Sequence, residues 1–229
     1  ILCNPHNPVG KIWTKDELAK IGKLCKKHHV MVFSDEIHCD LCDPGKEYIP
    51  FASASEICGS LSITAVSASK AFNIAGLQTA AVMTPDEGLR NKIVRGLNTD
   101  EIAEPNSFAI QAVIAAFEEG GDWLDALNAY IYENKQTVRS FIKEELPMLH
   151  VVDSDATYLL WVDCSSITTQ TDALCTFLRK EAGLYLSQGS HYRGDGAQFV
   201  RMNLACPKSQ VEEGLRRLKD GIGRYVTNQ

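Results

Sequence analysis

The sequence is short of positive charge: 23 Lys and Arg stand against 29 Asp and Glu, a formal net charge of −6. Without a basic stripe to neutralise phosphates, the chain is not expected to be a general nucleic-acid binder. No membrane-length apolar stretch, secretory signal, internal repeat or low-complexity tract is visible in these residues. Neither a glycine-rich dinucleotide turn nor a Walker-type lysine is present, which argues against nucleotide binding. Cysteine is not scarce, but its positions (3, 25, 39, 42, 58, 164, 175 and 206) are scattered, several of them inside apolar runs. That distribution suits reduced, buried thiols of a cytoplasmic protein better than a disulfide framework. Cys39 and Cys42 form one CxxC with no second pair at zinc-site spacing, so a metal or redox role rests on that lone pair.

What is present is ordinary for a folded protein. The 229 residues are 45% hydrophobic and 23% charged, enough for one large domain or two small ones. The chain opens "ILCNPHNPVG", inside a hydrophobic run and without an initiator methionine. A strand needs neighbours and chain ends are usually loose and polar, so the sequence is expected to be the C-terminal part of a longer protein.

Ile1 to Cys3 is an apolar run closed by a dense turn signal of Asn4, Pro5, Asn7, Pro8 and Gly10. Thr14 and Glu17 have capping-box spacing, and Leu18, Ile21, Leu24 and Cys25 behind them recur at helical spacing. "VMVF" (30–33) reads as a strand buried on both faces, and "LSITAV" (61–66) and "TAAVMT" (79–84) read as two more. Strand and helix in alternation imply an α/β fold: a mainly parallel sheet with helices on both faces. After Pro85, helices are expected from Asp86 to Leu97, from Pro105 or Asn106 to Glu118, and from Trp123 to Glu144. Beyond Pro147 come "HVV", "TYLLWVD", a helix over Thr171 to Glu181, "GLYLSQG", "FVRMNLA" and a closing helix from Ser209 to Tyr225. The expected organisation is a large domain over 1–120, a connecting helix over 121–145 and a smaller α+β domain over 146–229.

In an open parallel sheet, ligands bind outside the carboxyl ends of the strands. Three such ends carry chemistry here: "NPHNPVG" after "ILC", "SDEIH" after "VMVF", and "SASK" after "LSITAV". An amide (Asn7), a carboxylate with an imidazole (Asp35, His38) and an amine (Lys70) are therefore expected on one edge. Each alone has a plainer reading. Asn7 before proline is a common turn residue, Asp35 can cap the turn behind it, and His38 can be a satisfied, partly buried histidine. Together they match one chemistry. An amine desolvated in a pocket sheds its proton more readily and attacks an aldehyde. Pyridoxal phosphate is the aldehyde cofactor whose sites pair a Schiff-base lysine with an acid for the pyridine nitrogen. Ser67 and Ser69 offer hydroxyls suited to its phosphate.

These runs, with "SASKAFNIAGLQ" and "FVRMNLACP", resemble the fold-type I pyridoxal-phosphate enzymes of the class I/II aminotransferase superfamily. The histidine three residues after the aspartate, with "SKAFNIAGLQ" and "RMNLACP", is similar to the cystathionine β-lyase (MalY/PatB-type carbon–sulfur lyase) branch. The resemblance implies the aminotransferase-like fold and pyridoxal 5'-phosphate as cofactor. It makes Lys70 the Schiff-base lysine and Asp35 the pyridinium partner, with Asn7 and His38 near the phenolic oxygen. Ser67 then reaches the phosphate, and Arg201 grips the substrate α-carboxylate. Arginine's planar fork suits that last task, although a strand residue facing solvent is the plainer reading of Arg201.

The implied activity is α,β-elimination of cystathionine or another cysteine thioether to a thiol, pyruvate and ammonia, in a cytoplasmic homodimer acting on a small amino acid. An aminotransferase, or a regulatory protein on the same scaffold, are the alternatives. "QGSHYRGDG" (188–196) is a glycine-rich loop able to close over substrate, with His191, Tyr192 and Arg193 as weaker candidates. Two departures from the family pattern stand out. Gln78 occupies the position, eight residues after the lysine, where many aminotransferases carry a basic phosphate ligand. The family's N-terminal phosphate loop, stacking aromatic and outer strands are not in this chain.

Overall fold

A computed structural model describes residues 1–227 of the chain. The chain forms two compact units, one from residues 1–7, 11–128 and 155–157, the other from 8–10, 129–154 and Tyr158 onward.

The first unit is built on four strands in the order β1 (Leu2–Cys3), β2 (Val32–Asp35), β3 (Ser62–Val66) and β4 (Ala81–Met83). The three pairs of neighbours are not alike: β1, β2 and β3 run parallel, whereas β4 is antiparallel to β3. Between β3 and β4 there is only a 3-10 turn at Ala75–Leu77. A parallel return would need a crossover element long enough to carry the chain back to the starting edge, so the chain re-enters the sheet from the rim it left.

Helix α1 (Lys15–Lys27) begins with the expected capping box. Glu17 N donates to Thr14 Oγ1 at 3.3 Å, and Thr14 N donates to Glu17 Oε2 at 2.8 Å. Asp16 and Glu17 in the first turn and Lys26 and Lys27 in the last oppose the helix dipole. Helix α2 (Glu56–Ser60), unforeseen in a stretch that reads as polar, is capped by Ser55, whose Oγ accepts from Cys58 N at 3.2 Å. These helices bury Leu18, Phe51, Ala54 and Cys58 against Val32 and Leu61. Gly22 permits the approach: a Cβ there would lie 2.5 Å from Cys58 Sγ.

Strand β2 alternates rather than being buried on both faces. Val32 and Ser34 point into this core, while Phe33 is 38% exposed and Asp35 lies on the same side as Phe33. Asp86 caps α3 (Glu87–Thr99), accepting from Leu89 N at 2.6 Å. Helix α4 (Ala109–Glu119) starts later than expected, because Asn106 Oδ1 instead caps a turn at Phe108 N (2.9 Å). It leaves Ile110, Ile114 and Phe117 exposed. Helix α5 (Gly121–Glu145) contributes to both units.

The second unit contains β5 (His150–Val151), β6 (Leu159–Asp163), α6 (Thr171–Glu181), β7 (Ser187–Gln188), β8 (Phe199–Asn203) and α7 (Lys208–Thr227). Its sheet is antiparallel, in the order β5-β6-β8-β7. One face buries Leu160, Val162, Val200 and Met202 against Val138 and Ile142 of α5, Leu174 and Leu178 of α6, and Leu215, Leu218 and Ile222 of α7. Among the described residues, no helix is long and apolar enough to cross a membrane.

Candidate active site

Register brings three of the chemistry-bearing segments to one rim. Cys3 lies opposite Asp35, and Asp35 opposite Ala65, so β1, β2 and β3 end level and side by side. These three residues share the face of the sheet turned away from the α1–α2 core. Asp35 is half-buried; its Oδ1 accepts the Ile37 N–H at 3.3 Å, and Oδ2 accepts no hydrogen bond from the described residues. One carboxyl oxygen is thus bonded to the backbone and the other is not. Beside it, Ala65 is small enough to leave room for a flat ring.

Lys70 sits in a tight turn just past β3, where Phe72 N reaches Ala68 O (2.9 Å) and Ile74 N reaches Ser69 O (3.1 Å). The small residues around it have a packing reason. Ala68 and Ala71 are each 1% exposed and seat the turn, while Lys70 between them stays half-buried. The Phe72 ring anchors the turn further, stacking on Trp123 at 5.7 Å and meeting Phe117 edge-on at 5.9 Å. Gly120 makes space for it, since a Cβ there would come within 2.5 Å of Phe72 Cε1.

Ser67 Oγ donates to Thr79 O at 2.7 Å and accepts from Ser69 N at 3.1 Å. It closes the base of the lysine loop, and any contact from Ser67 to an anion has to displace the Thr79 bond. The Ser69 hydroxyl beside it makes no hydrogen bond among the described residues. Gln78 is exposed and closes the 3-10 turn in the left-handed region (φ 50°, ψ 51°).

Asn7 is held through its backbone, its N–H meeting Cys3 Sγ at 3.4 Å, while that thiol donates to Pro5 O at 3.4 Å. Burial pushes the Cys3 thiol up, and the nearby Asp35 charge adds to the effect. Nothing in its sequence context singles out Cys3, because its place beside Asp35 depends on strand register. His38 is 4% exposed and lies in the turn after β2, its carbonyl accepting Leu41 N at 3.0 Å.

The intervening Glu36 points to the opposite face. It is 2% exposed, and its Oε1 accepts from Ser34 Oγ (2.7 Å) and Phe51 N (3.0 Å). The Tyr48 hydroxyl donates to its Oε2, and burial followed by this bond pushes the phenol far up. A cavity of about 370 Å³ lined by Glu36, Tyr48, Thr64 and Met83 lies on that face, so the sheet separates it from Asp35. In the same turn the Cys39 thiol is pushed up to about 12, by burial first and then by Asp40.

Arg201 belongs to the second unit. On β8 it lies opposite Trp161 of β6 and Ser187 of β7, on the face away from the core into which Val200 and Met202 point. That face is not bare. The guanidinium carbon lies 5.6 Å from the centre of the Tyr192 ring, and Nη2 donates to Ser187 Oγ at 3.4 Å. Tyr192 meets Trp161 edge-on at 5.2 Å, and Trp161 stacks on Phe199 at 5.1 Å. The 188–196 loop carrying Tyr192 holds one 3-10 turn (Gly189–Tyr192) and leads into a second (Gly196–Gln198), and it is tied to α6 by Ser190 Oγ donating to Asp172 Oδ1 at 2.6 Å.

The sequence pattern described as "Aminotransferase class I and II" matches residues 1–218. The chain belongs to that family. Over 222 residues it is 41% identical to cystathionine beta-lyase PatB of Bacillus subtilis, covering 97% of this chain and 57% of that protein. It is 34% identical to Protein MalY of Escherichia coli over 223 residues, 97% of this chain and 56% of that protein. Among solved structures, cystalysin from Treponema denticola, which contains a pyridoxal 5'-phosphate cofactor, aligns with a TM-score of 0.94 at 32% identity. That alignment covers 97% of this chain and 57% of the cystalysin chain. The chain therefore spans a little over half the length of these relatives, and on that span its fold is that of the aminotransferase family.

Proposed function

We propose that this protein is a pyridoxal 5'-phosphate-dependent carbon–sulfur lyase that cleaves cystathionine or a related cysteine thioether to a thiol, pyruvate and ammonia. The observation that carries the reading is the rim itself, where Asp35 stands level with Ala65 and the chain turns directly into Lys70. The donor set fits this cofactor: a carboxyl with one oxygen bonded to the backbone, an amine in an ordered turn, and a small residue, Ala65, level with the carboxyl. The relatives named cystathionine beta-lyase and cystalysin support the same choice.

When bound, the cofactor supplies an electron-accepting ring conjugated to the substrate Cα. In this reading Asp35 Oδ2 would hold a proton at the ring nitrogen, with the Ile37 N–H bonded to the other carboxyl oxygen. Lys70 Nζ would anchor the cofactor and would take the substrate Cα proton as general base. Asn7 and His38 would hold the phenolic oxygen, Ser67 and its loop would hold the phosphate, and Arg201 would bind the substrate α-carboxylate through its planar fork. Elimination needs nothing more than water to complete it. A soluble, cytoplasmic homodimer is the assembly we infer.

Incubation with cystathionine tests the reading: keto acid and a free thiol are expected without any added amino acceptor. Strict dependence on a 2-oxo acid would instead establish an aminotransferase, a second reading to which the 23% identity to a probable aspartate/prephenate aminotransferase of Aquifex aeolicus lends support. Lys70→Ala should abolish turnover and the cofactor's bound absorbance together, whereas a purely regulatory protein would keep its activity.

A further inference from the structure

We propose that Tyr192 is a positioning residue for carboxylate recognition: its ring holds the Arg201 fork in place on the outer face of the second unit's sheet. The inference rests on the reading of Arg201 as the α-carboxylate ligand and adds the group that orders it. A guanidinium attracted to an aromatic ring through its face has the plane of its fork set by that contact. Here the guanidinium carbon is 5.6 Å from the ring centre, and Ser187 Oγ fixes Nη2 from the neighbouring strand.

Tyr192 can do this only if it is itself immobile, and the surrounding contacts make it so. Its ring abuts Trp161, which is 6% exposed and stacked on Phe199 at an interplanar angle of 8°. The backbone on either side is closed by Arg193 N donating to Ser190 O (3.1 Å) and Gly196 N donating to Arg193 O (2.9 Å). At Gly189 the chain runs so close to its neighbours that a Cβ would lie 2.2 Å from Gly196 O and 2.7 Å from Trp161 Cη2. A segment whose glycines suggest a mobile flap is thus a rigid shelf. A long arginine side chain loses much rotamer freedom on binding, and a shelf that orders it beforehand removes that cost from substrate capture.

The test starts with the arginine side-chain N–H spectrum of the isotopically labelled protein, the Arg201 signal being assigned by its loss in Arg201→Lys. In the unmodified protein this signal should be shifted upfield by the ring current and should show restricted motion. Tyr192→Leu should return it toward the position of a free arginine, while Tyr192→Phe, which keeps the ring, should leave it in place. An Arg201 signal at the free-arginine position in the unmodified protein, or one unmoved by Tyr192→Leu, would overturn the proposal.

With a cysteine thioether as substrate, Tyr192→Leu should raise KM by about fivefold to tenfold, the range expected for a partly desolvated cation–ring contact. Turnover at saturation should stay within about twofold, because no reacting atom is touched, and Tyr192→Phe should restore KM. Should the protein fail to turn over any thioether, the lyase reading fails on its own. Titrating S-methylcysteine against the Arg201 signal then decides the present point: weaker binding in Tyr192→Leu supports it, and equal binding overturns it.

Discussion

Tyr48 donates its hydroxyl hydrogen to Oε2 of Glu36, a side chain 2% exposed and next in the chain to Asp35. With Ser34 Oγ and Phe51 N on the other oxygen, the Glu36 carboxyl gathers three donors under the sheet and fastens residues 48–51 beneath the strand end. Asn4, fully buried, reinforces the same segment by donating to Ile49 O at 2.9 Å. Removing one donor is the milder change, so Tyr48→Phe should destabilise the protein by about 2 kcal/mol. Glu36→Ala strands all three donors at once and should cost about 4 kcal/mol. Urea unfolding midpoints measure both, and equal losses in the two variants would refute the network.

His6 lies in the turn beside the site, and burial lowers its pKa from the ordinary histidine value. The unfolded chain then binds a proton at a pH where the folded chain does not. Stability from this group is fully present above the unfolded pKa, about 6.5. It is lost as the pH falls below that value toward the lowered folded pKa. Stability curves between about pH 5 and pH 7.5 should therefore decline on the acid side. His6→Gln should flatten that decline, and identical pH slopes in the two proteins would show that His6 is not responsible.

Much of this was legible in the residues. The capping box at Thr14, the cap at Asp86 and the helix over 171–181 are local features, set by side chains that bond to nearby backbone, and they lie where the sequence places them. Register was not legible, because the level of Cys3, Asp35 and Ala65 depends on pairing between segments about 30 residues apart in the chain. The direction of β4 was hidden for the same reason. Glu36 is hidden in the sequence by neighbours that carry the obvious chemistry, and only its burial and its bonds to Ser34, Tyr48 and Phe51 show that it points inward. The shelf under Arg201 was concealed by composition: glycines that allow close packing at 189 and 196 look the same in sequence as glycines that allow motion.

The buried thiols offer a clean probe of the two cores. Cys58, Cys164 and Cys175 are all nearly inaccessible. Burial pushes Cys164 up to about 12 and Cys175 to about 11, and neighbouring Cys and Asp groups add to the rise. Burial shields all three from reagent, and in Cys164 and Cys175 the reactive thiolate is also scarce, so they should resist alkylation at neutral pH until the chain unfolds. Mass spectrometry after brief labelling should find them unmodified in native conditions and modified in urea. Rapid native labelling of Cys164 would mean that the core between β6 and α6 opens easily.

Gly189→Ala tests the shelf by sterics alone. The added methyl would meet Gly196 O at 2.2 Å, Phe199 O at 2.5 Å and Trp161 Cη2 at 2.7 Å. Two of these atoms are backbone and the third is a ring stacked on Phe199, so none can yield cheaply. Overpacking of this kind costs about 3 kcal/mol. Gly194, five residues on in the same loop, is the control: nothing lies within 4 Å of a Cβ there, and only its φ of +56° disfavours a side chain. Gly194→Ala should thus cost about 1 kcal/mol. Thermal unfolding, followed through tryptophan fluorescence that includes Trp161, should rank Gly189→Ala well below Gly194→Ala. The reverse ranking would mean that the loop is a flexible flap after all, and that Arg201 has no fixed ring beneath it.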